Sequence, residues 1–394
     1  MKQMTFMNSK RSNLIVIIPF LLITAFFFVL YFIYPKQIKS ETENRLLAQR
    51  PILTHENILS FPRNFEKYYN DQFPYRESFL KMFSRIELSL GKTIIRDLYI
   101  SKGFLLPQEY QYSQSDVSKS AEKTNALMNF VVSTGKKGGY IALPYKTSVY
   151  NYMLPTYLQN NYGELNYEHF VNQLDARIKV CDAFRCYEGQ TSSEVEEYFF
   201  KTDLHWNVKG AGVAFNYILD WLYEEKLINT PIKNDELFNY SYIDNAKYLG
   251  DLNRRYSFLF STNESIPVFK DTDKKVKYYL SYFEDEYTLD TDSIKDRSVN
   301  EATQTYNSVY SNNLGYYKMV NEDSLLDTKV LVIKDSMQNA MTDMFLQVFN
   351  TTEVIDIRSL KEVELYQIIK ESKADFVLLM YHQDNITGDM FNFM

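Results

Sequence analysis

The carboxyl-terminal part of the chain constrains the fold most, because short apolar runs alternate there with segments of helical pattern. The apolar runs cover residues 329–334, 352–358 and 375–381. Between them, apolar residues recur at helical spacing. Strands that alternate with helices of this length indicate βαβ units and a parallel sheet. We therefore predict an α/β domain, a three-layer sandwich with a mostly parallel sheet.

Ser336 stands where such a sheet places reactive groups. It follows the buried run of residues 329–334 and precedes a helical pattern from Met337 to about Phe349. Open α/β sheets bind ligands beyond the carboxyl ends of their strands. Backbone N–H groups at the helix start, including that of Ser336 itself, can stabilise an oxyanion. Ser336 is therefore our candidate nucleophile.

The stretch Lys201–Gly212 supplies the partners that a nucleophilic serine needs. It holds one of the four histidines, His205, and Asp203 stands two positions earlier. In extended or loop backbone, residues i and i+2 project to the same side. Asp203 can therefore bond one ring nitrogen of His205 and leave the other free as a base. We predict a triad of Ser336, His205 and Asp203, although each residue type alone is common in structural roles.

The pairing of TDLHWN (residues 202–207) with a later IKDS (333–336) resembles the SGNH-like acyltransferases of the alginate O-acetylation group, AlgX and AlgJ. It resembles still more closely the DHHW proteins of low-GC bacteria. The resemblance implies an SGNH-hydrolase-like fold in which the Asp and His of the D-x-H-W motif precede the nucleophilic serine. Related hydrolases usually have Gly before Asp-Ser, whereas this chain has Lys334, whose side chain must turn away from the nucleophile. The separate Gly and Asn that complete the oxyanion hole of SGNH esterases have no convincing counterparts here.

Further stretches extend the resemblance along the chain. They are ENRLLAQRPILT (43–54), FPRNFEKYYNDQFPYR (61–76), LPYKTSVYNYMLP (143–155) and KYLGDLNRRY (247–256), the last resembling a G-D-L segment to which we assign no chemistry.

Further residues are candidates for substrate binding or for the oxyanion site. Lys146 falls at a lysine of the matching stretch, and Arg358 lies where the group keeps an arginine near the site. Tyr381 and His382 close the next strand at the same sheet edge, and each could contact ligand. A structural role is the alternative for each of them, and for Lys146 this would be an ion pair that supports its loop.

Residues 14–34 carry no charge and are long enough to cross the hydrocarbon core as a helix. No small-residue cleavage site of a secretory signal follows them, so we predict an uncleaved anchor. We expect residues 1–13 in the cytoplasm and residues 35–95 as an extracellular helical stalk packed on the domain. Residues 96–394 should form the SGNH-like domain, with a lid or strand-rich insertion at 257–325.

Composition limits the other functions. The chain has 43 basic and 50 acidic residues, a net charge of −7, which gives no support to nucleic-acid binding. Its 33 tyrosines and 28 phenylalanines suit stacking against sugars, but AT-rich coding bias gives the same composition. Cys181 and Cys186 lack the further ligands of a zinc site, so they form either a local disulfide or two free thiols. A metal held by Asp203 and His205 is disfavoured for the same reason, and we predict no cofactor.

Together with the apolar span and the predicted triad, the resemblance implies a membrane-anchored, extracellular O-acyltransferase that acetylates a cell-surface polysaccharide through an acyl-serine. The resemblance implies a multipass membrane acyltransferase as the source of acyl groups. The alternatives are a carbohydrate esterase with the same triad and a catalytically silent envelope scaffold that keeps the fold. Whether the acceptor is a sugar or water decides between transferase and esterase, and no residue settles that choice.

Overall fold

The computed structural model describes residues 2–40, 45–232, 239–269, 276–279, 294–295, 302–360 and 364–393. The chain divides into two compact units. The first comprises Met1–Lys92 and Arg254–Leu259, and the second comprises Thr93–Asn253 and Phe260–Met394.

The first unit is helical apart from one short antiparallel strand pair. Its elements are α1 Lys2–Ile33, β1 Lys39–Ser40, β2 Arg45–Leu46, α2 Phe61–Asp71 and α3 Arg76–Ser89. Among the described residues, Leu14–Ile33 of α1 is the one candidate membrane span, with a mean hydropathy of 2.8. At 1.5 Å per residue these 20 residues extend about 30 Å, which matches the thickness of the hydrocarbon core.

The remaining elements belong to the second unit, except that Arg254, the last residue of α9, is assigned to the first. The strands are β3 Ile94–Ile95, β4 Leu98–Ser101, β5 Phe104–Pro107, β6 Lys137–Leu143, β7 Lys179–Cys181, β8 Tyr240–Tyr242, β9 Lys247–Tyr248, β10 Pro267–Phe269, β11 Lys277–Tyr279, β12 Thr303–Gln304, β13 Tyr316–Val320, β14 Leu326–Lys334, β15 Phe349–Ile355 and β16 Phe376–His382. The α-helices are α4 Gln114–Ser133, α5 Lys146–Val149, α6 Tyr162–Val171, α7 Ser192–Val195, α8 Val208–Glu224, α9 Asp251–Arg254, α10 Tyr306–Val309, α11 Thr342–Val348 and α12 Glu364–Glu371. Short 3₁₀ helices cover Asn151–Met153, Ala183–Arg185, Ser336–Met341 and Gly388–Phe391.

A seven-stranded sheet in the order β11-β13-β15-β14-β16-β6-β7 forms the centre of the second unit. The five strands from β15 to β7 run parallel, whereas β13 and β11 extend the β15 edge by antiparallel pairing. The predicted mostly parallel sheet is thus confirmed. β14 lies between β15 and β16, so Ser336, two residues beyond the carboxyl end of β14, stands near the middle of the carboxyl end of the sheet.

Side chains alternate between the two faces of β14, and each face is covered by helices. Val330 and Val332 pack with apolar residues of α8 and α11 on one face. Leu331 and Ile333 pack with residues of α4, α6 and α12 on the other. The second unit therefore has the three layers that the sequence predicts.

Two elements differ locally from the predicted pattern. The helix expected from Met337 starts with the 3₁₀ turn Ser336–Met341 and continues as α11. β15 ends at Ile355 because the Asp356 side chain accepts the backbone N–H of Arg358 at 3.1 Å, a turn that takes the chain out of the sheet.

The segment 257–325, predicted to form a lid or insertion, contributes edge strands β11 and β13 to the main sheet and also contains α10. The parts of that segment at 270–275, 280–293 and 296–301 lie outside the described residues.

Candidate active site

The structure brings the three predicted triad residues together in one hydrogen-bonded line. Ser336 Oγ lies 2.8 Å from His205 Nε2, and His205 Nδ1 lies 2.6 Å from Asp203 Oδ1. Asp203 is buried, whereas 14% of the His205 side chain is exposed. Both ring nitrogens of His205 are therefore engaged, and the serine end of the line is the end nearer to solvent.

Asp203 is held as an ionised carboxylate. Its Oδ1 also accepts the backbone N–H of His205 at 3.1 Å, and its Oδ2 accepts the Tyr248 hydroxyl at 3.1 Å and the N–H of Asp251 at 2.9 Å. Burial raises the pKa of Asp203, but the charge of His205 and these hydrogen bonds outweigh burial and lower the pKa to about 2. A carboxylate in this state fixes Nδ1 of His205 as the protonated nitrogen and leaves Nε2 to accept a proton.

The G-D-L segment, to which the sequence assigned no chemistry, supplies this support for Asp203. Tyr248 and the Asp251 N–H both come from it. Gly250 lies directly against Thr202, so closely that a Cβ at this position would collide with the Thr202 carbonyl group. The glycine thus allows the segment to reach the carboxylate. The signal in the sequence was the resemblance of KYLGDL to a family segment, without a role attached.

Trp206 ties the D-x-H-W loop to the turn that carries Ser336. Its indole Nε1–H donates to the Met337 carbonyl oxygen at 2.8 Å, and the side chain is fully buried. The Tyr306 hydroxyl donates to the same oxygen at 3.0 Å and accepts the Ala340 N–H at 3.3 Å. Two elements far apart in sequence therefore hold the residue that directly follows the serine.

Tyr306 of α10 also covers the imidazole face. The two ring centroids lie 3.9 Å apart with planes inclined by 10°, an arrangement that stacks Tyr306 on His205. This restricts rotation of the His205 ring out of the triad line. Sequence reasoning missed Tyr306, because it is one of 33 tyrosines and no motif marks it.

Asp335 fixes the start of the serine turn. Its Oδ1 accepts the N–H of Met337 at 2.9 Å, and its Oδ2 accepts the N–H of His382 at 2.8 Å from the neighbouring strand β16. The Ser336 N–H is at the first position of the 3₁₀ helix, where no intrahelical acceptor exists. Within the described ranges of the chain, we find no protein acceptor for this N–H. It is therefore free to donate to an oxyanion.

The Lys334 side chain points into a buried polar cluster, as expected for a lysine that must turn away from the nucleophile. Its Nζ donates to Asn339 Oδ1 at 2.6 Å and to Asn313 Oδ1 at 3.0 Å, and it lies 3.4 Å from Asp356 Oδ2. Burial lowers the pKa of Lys334 to about 8, and the charge of Asp356 opposes that effect. Arg358 binds the same carboxylate through Nε at 2.9 Å and Nη2 at 2.6 Å, with 40% of its side chain exposed.

Lys146 lies behind the Asp203 loop. Its Nζ donates to the carbonyl oxygens of Leu105, Lys201 and Asp203 at 2.8, 2.9 and 2.6 Å. Three acceptors use all three hydrogens of the ammonium group, and the side chain is fully buried. Burial lowers its pKa, while the charges of Glu264 and Asp203 act in the opposite direction. The contacts favour the loop-supporting role over substrate binding.

Tyr381 lies away from the triad. Its side chain is fully buried among residues on the α4 and α6 face of the sheet, and its hydroxyl donates to the Met390 carbonyl at 2.8 Å. Trp206 packs on the opposite face. The expectation that Tyr381 lines the site is therefore corrected: the strand position was right, but the side chain points to the other layer.

His382, the next residue, stands near the site instead. Its ring stacks on Tyr145 with centroids 5.1 Å apart, and its Nε2 lies 3.9 Å from Asp335 Oδ2. Burial lowers the pKa of His382. Its Nδ1 has no hydrogen-bond partner in the described part of the chain.

Among the described residues, no group of three or more His, Cys, Asp or Glu side chains is placed to hold a metal ion. Cys181 and Cys186 are free thiols.

Comparisons with known proteins agree with this architecture. Residues 98–275 match the family model of the SGNH hydrolase-like domain of acetyltransferase AlgX. The chain is similar in structure to Bacillus cereus PatB1, with a TM-score of 0.66 and 22% identity over 75% of this chain and 99% of that chain. It is also similar to PatB1 with a sulfonyl adduct, with a TM-score of 0.64 and 21% identity over the same shares of 75% and 99%.

A DHHW family protein from Eubacterium siraeum is similar as well, with a TM-score of 0.58 and 19% identity over 75% of this chain and 93% of that chain. No curated protein matches the sequence. These findings confirm the SGNH-like α/β fold and the resemblance to the AlgX and DHHW group that the motifs indicated.

Proposed function

We propose that this protein is a membrane-anchored, extracellular O-acetyltransferase that modifies a cell-surface polysaccharide through an acetyl-serine on Ser336. The single observation that carries the proposal is the continuous line from Ser336 Oγ through His205 to Asp203, at 2.8 and 2.6 Å. The acetyltransferase named in the matching family model supports acetyl as the group transferred.

In the first half-reaction, His205 Nε2 takes the proton of Ser336 Oγ while Oγ attacks the donor's acetyl carbonyl carbon. The Ser336 N–H donates to the oxyanion that forms, and Asp203 stabilises the imidazolium. When the tetrahedral intermediate collapses, the bond to the donor oxygen breaks and His205 returns the proton to that leaving oxygen. Ser336 is then acetylated.

In the second half-reaction, His205 deprotonates a hydroxyl of the acceptor, which attacks the acetyl-serine. The Ser336 ester bond breaks, Oγ recovers a proton from His205, and the acceptor leaves as an O-acetyl ester. Both half-reactions need the imidazole in one plane, which the stack of Tyr306 on His205 favours. We propose a positioning role for Lys146, which supports the Asp203 loop, and substrate contact for Arg358 through its exposed part.

The apolar helix Leu14–Ile33 supports the anchoring part of the proposal. We propose that residues 1–13 lie in the cytoplasm and that the chain from residue 35 onward lies outside, with 35–95 as the stalk. Because acetyl-CoA is cytosolic, an extracellular transferase needs acetyl groups exported across the membrane. A multipass membrane acyltransferase is the partner that we propose for that step.

The aligned triad favours an enzyme over a silent scaffold, and the acceptor distinguishes transfer from hydrolysis. The test uses the full chain in detergent with p-nitrophenyl acetate as donor and cello- or chito-oligosaccharides as acceptors. Mass spectrometry would report acetylated oligosaccharide, and an acetate-specific enzymatic assay would report free acetate. A transferase gives the first product, an esterase gives the second alone, and a scaffold gives neither.

Ser336→Ala should abolish both products with the fold intact, because serine to alanine at such a turn costs little stability. Ser115→Ala, at an exposed position of α4, is the matched control and should keep both. Acetyl transfer that survives in Ser336→Ala would refute the proposed nucleophile.

A further inference from the structure

Helices α2 and α3 pack against the carboxyl-terminal part of the apolar span. The Phe27 ring centroid of α1 lies 5.4 Å from that of Phe73 and 5.6 Å from that of Phe79. The ring centroid of Tyr31, one turn further along α1, lies 4.9 Å from that of Tyr69. The corner between α2 and α3 is therefore attached to a segment that is itself apolar enough to lie in lipid.

The position of Phe27 sets the depth of that corner. Phe27 precedes Ile33, the end of the span, by six residues, which corresponds to about 9 Å along the helix axis. Lys36 marks the polar boundary: its Nζ donates to the Tyr31 carbonyl at 2.6 Å and lies 3.5 Å from the Tyr31 ring centroid. If Leu14–Ile33 fills the hydrocarbon core, then Phe79 lies on the hydrocarbon side of that boundary rather than in water.

An exposed apolar stripe extends from that point along α3. Its members occupy positions i, i+3, i+4, i+7 and i+11, which fall on one helix face. They are 38% to 76% exposed and comprise Phe79, Met82, Phe83, Ile86 and Leu90, the last being the residue that caps the helix. Large apolar side chains exposed together in this way mark an interaction surface. The stripe continues the lipid-facing surface of α1 through the contact between Phe79 and Phe27.

Polar bonds hold α2 to the chain that follows the span, so the corner is fixed in place. The Asp71 carboxylate at the end of α2 accepts two hydrogen bonds from the Arg45 guanidinium, at 2.6 and 2.9 Å. The Gln72 side chain donates to the carbonyls of Gln37 and Ala48 at 2.8 and 3.0 Å and accepts the Gln37 N–H at 3.0 Å. The polar side of the corner between α2 and α3 therefore faces the segment that follows the span, and the aromatic side faces the span.

We propose that α3 lies in the membrane surface, with its apolar stripe inserted among the acyl chains of the outer leaflet. The protein then binds the bilayer in two ways, by a spanning helix and by an amphipathic helix parallel to the surface. This inference rests on the proposed anchoring by α1. It does not depend on the acetyl-transfer chemistry of Ser336.

The test places a nitroxide at one introduced cysteine at a time in the full chain, reconstituted into vesicles of phosphatidylcholine and phosphatidylglycerol. Phe83→Cys reports the stripe, and Met82→Cys repeats it in case the first variant reconstitutes poorly. Arg85→Cys is the matched control, exposed on another face of the same helix, and Leu22→Cys reports the span. The unsubstituted protein, labelled in the same way, is the blank for Cys181 and Cys186.

Collision with oxygen and with a water-soluble nickel chelate gives the readout. At residues 82 and 83 we expect oxygen collisions to exceed nickel collisions several-fold, as at residue 22, with the reverse order at residue 85. Nickel-accessible labels at 82 and 83 would overturn the proposal. Labels shielded from both reagents would overturn it too, because they would mean that a second copy or another protein covers the stripe. A nickel-accessible label at residue 22 would remove the anchor premise while leaving the Ser336 chemistry untouched.

Discussion

Asp203→Asn is a demanding test of the triad, because the structure leaves the new amide no good orientation. Each oxygen of Asp203 accepts a backbone N–H: Oδ1 that of His205 at 3.1 Å, and Oδ2 that of Asp251 at 2.9 Å. Whichever oxygen becomes NH₂, it meets one of these donors. One buried N–H therefore loses its acceptor, and the neutral amide cannot balance an imidazolium.

The expected cost follows from the lowered pKa and from the donor left without an acceptor. A pKa lowered from 3.8 to about 2 corresponds to roughly 2 kcal/mol of stability at neutral pH. An unpaired buried donor costs about 1–3 kcal/mol, and part of this is already contained in the pKa shift, because the same backbone N–H groups help to lower the pKa. We therefore expect the free energy of unfolding to fall by about 2–4 kcal/mol. The rate of Ser336 acetylation should fall further, by about 10⁴-fold if Asp203 acts as the orienting carboxylate of a serine triad.

Stopped-flow release of p-nitrophenol from p-nitrophenyl acetate at pH 7 measures the acetylation rate, and urea unfolding of the same sample measures stability. Tyr248→Phe is the matched control: it removes the hydroxyl that donates to Asp203 Oδ2 but keeps the carboxylate. We expect it to cost about 1 kcal/mol and less than about tenfold in rate. If folded Asp203→Asn acetylates as fast as the unsubstituted protein, Asp203 does not orient His205 and the assignment fails.

Three further results are expected. Lys146→Met should lower the free energy of unfolding by about 3 kcal/mol or more in urea, because three backbone carbonyls lose their donor; a raised KM with unchanged stability would instead mean direct substrate contact. Tyr381→Phe should cost about 1 kcal/mol through the lost bond to Met390 and leave kcat and KM unchanged, and a changed KM would place Tyr381 back in the site. Because the pKa of Asp203 is lower in the folded chain, its stabilisation is present above about pH 4 and is lost as the pH falls through about 2. The difference in unfolding free energy between the unsubstituted protein and Asp203→Asn should shrink over that range, and a constant difference would contradict the lowered pKa.

Local patterns predicted the sheet and the residues of the candidate triad. Alternating strands and helices place Ser336 at a strand end, and the i, i+2 spacing of Asp203 and His205 allows their bond within one loop. Tyr306 could not be found in this way, because its stack on His205 joins segments about one hundred residues apart.

Tyr381 and Lys146 show two other limits of the sequence. Neighbouring strand residues face opposite layers, and the pattern near the end of β16 does not reveal whether Tyr381 or His382 faces the site. For Lys146, the matching motif identified the loop but not the three backbone carbonyls, from Leu105, Lys201 and Asp203, that take its hydrogens. Partners that distant in sequence are fixed by the fold.

The most direct test of the central claim is the mass of the full chain after brief incubation with p-nitrophenyl acetate, with peptide mapping of any adduct. Acetylation replaces one hydrogen and adds about 42 Da, and we expect it on Ser336. Ser336→Ala, treated identically, should show no adduct in the peptide that contains residue 336. A folded, unsubstituted protein that neither gains the adduct nor releases p-nitrophenol, or a Ser336→Ala protein that still gains the adduct at the site, would contradict the account.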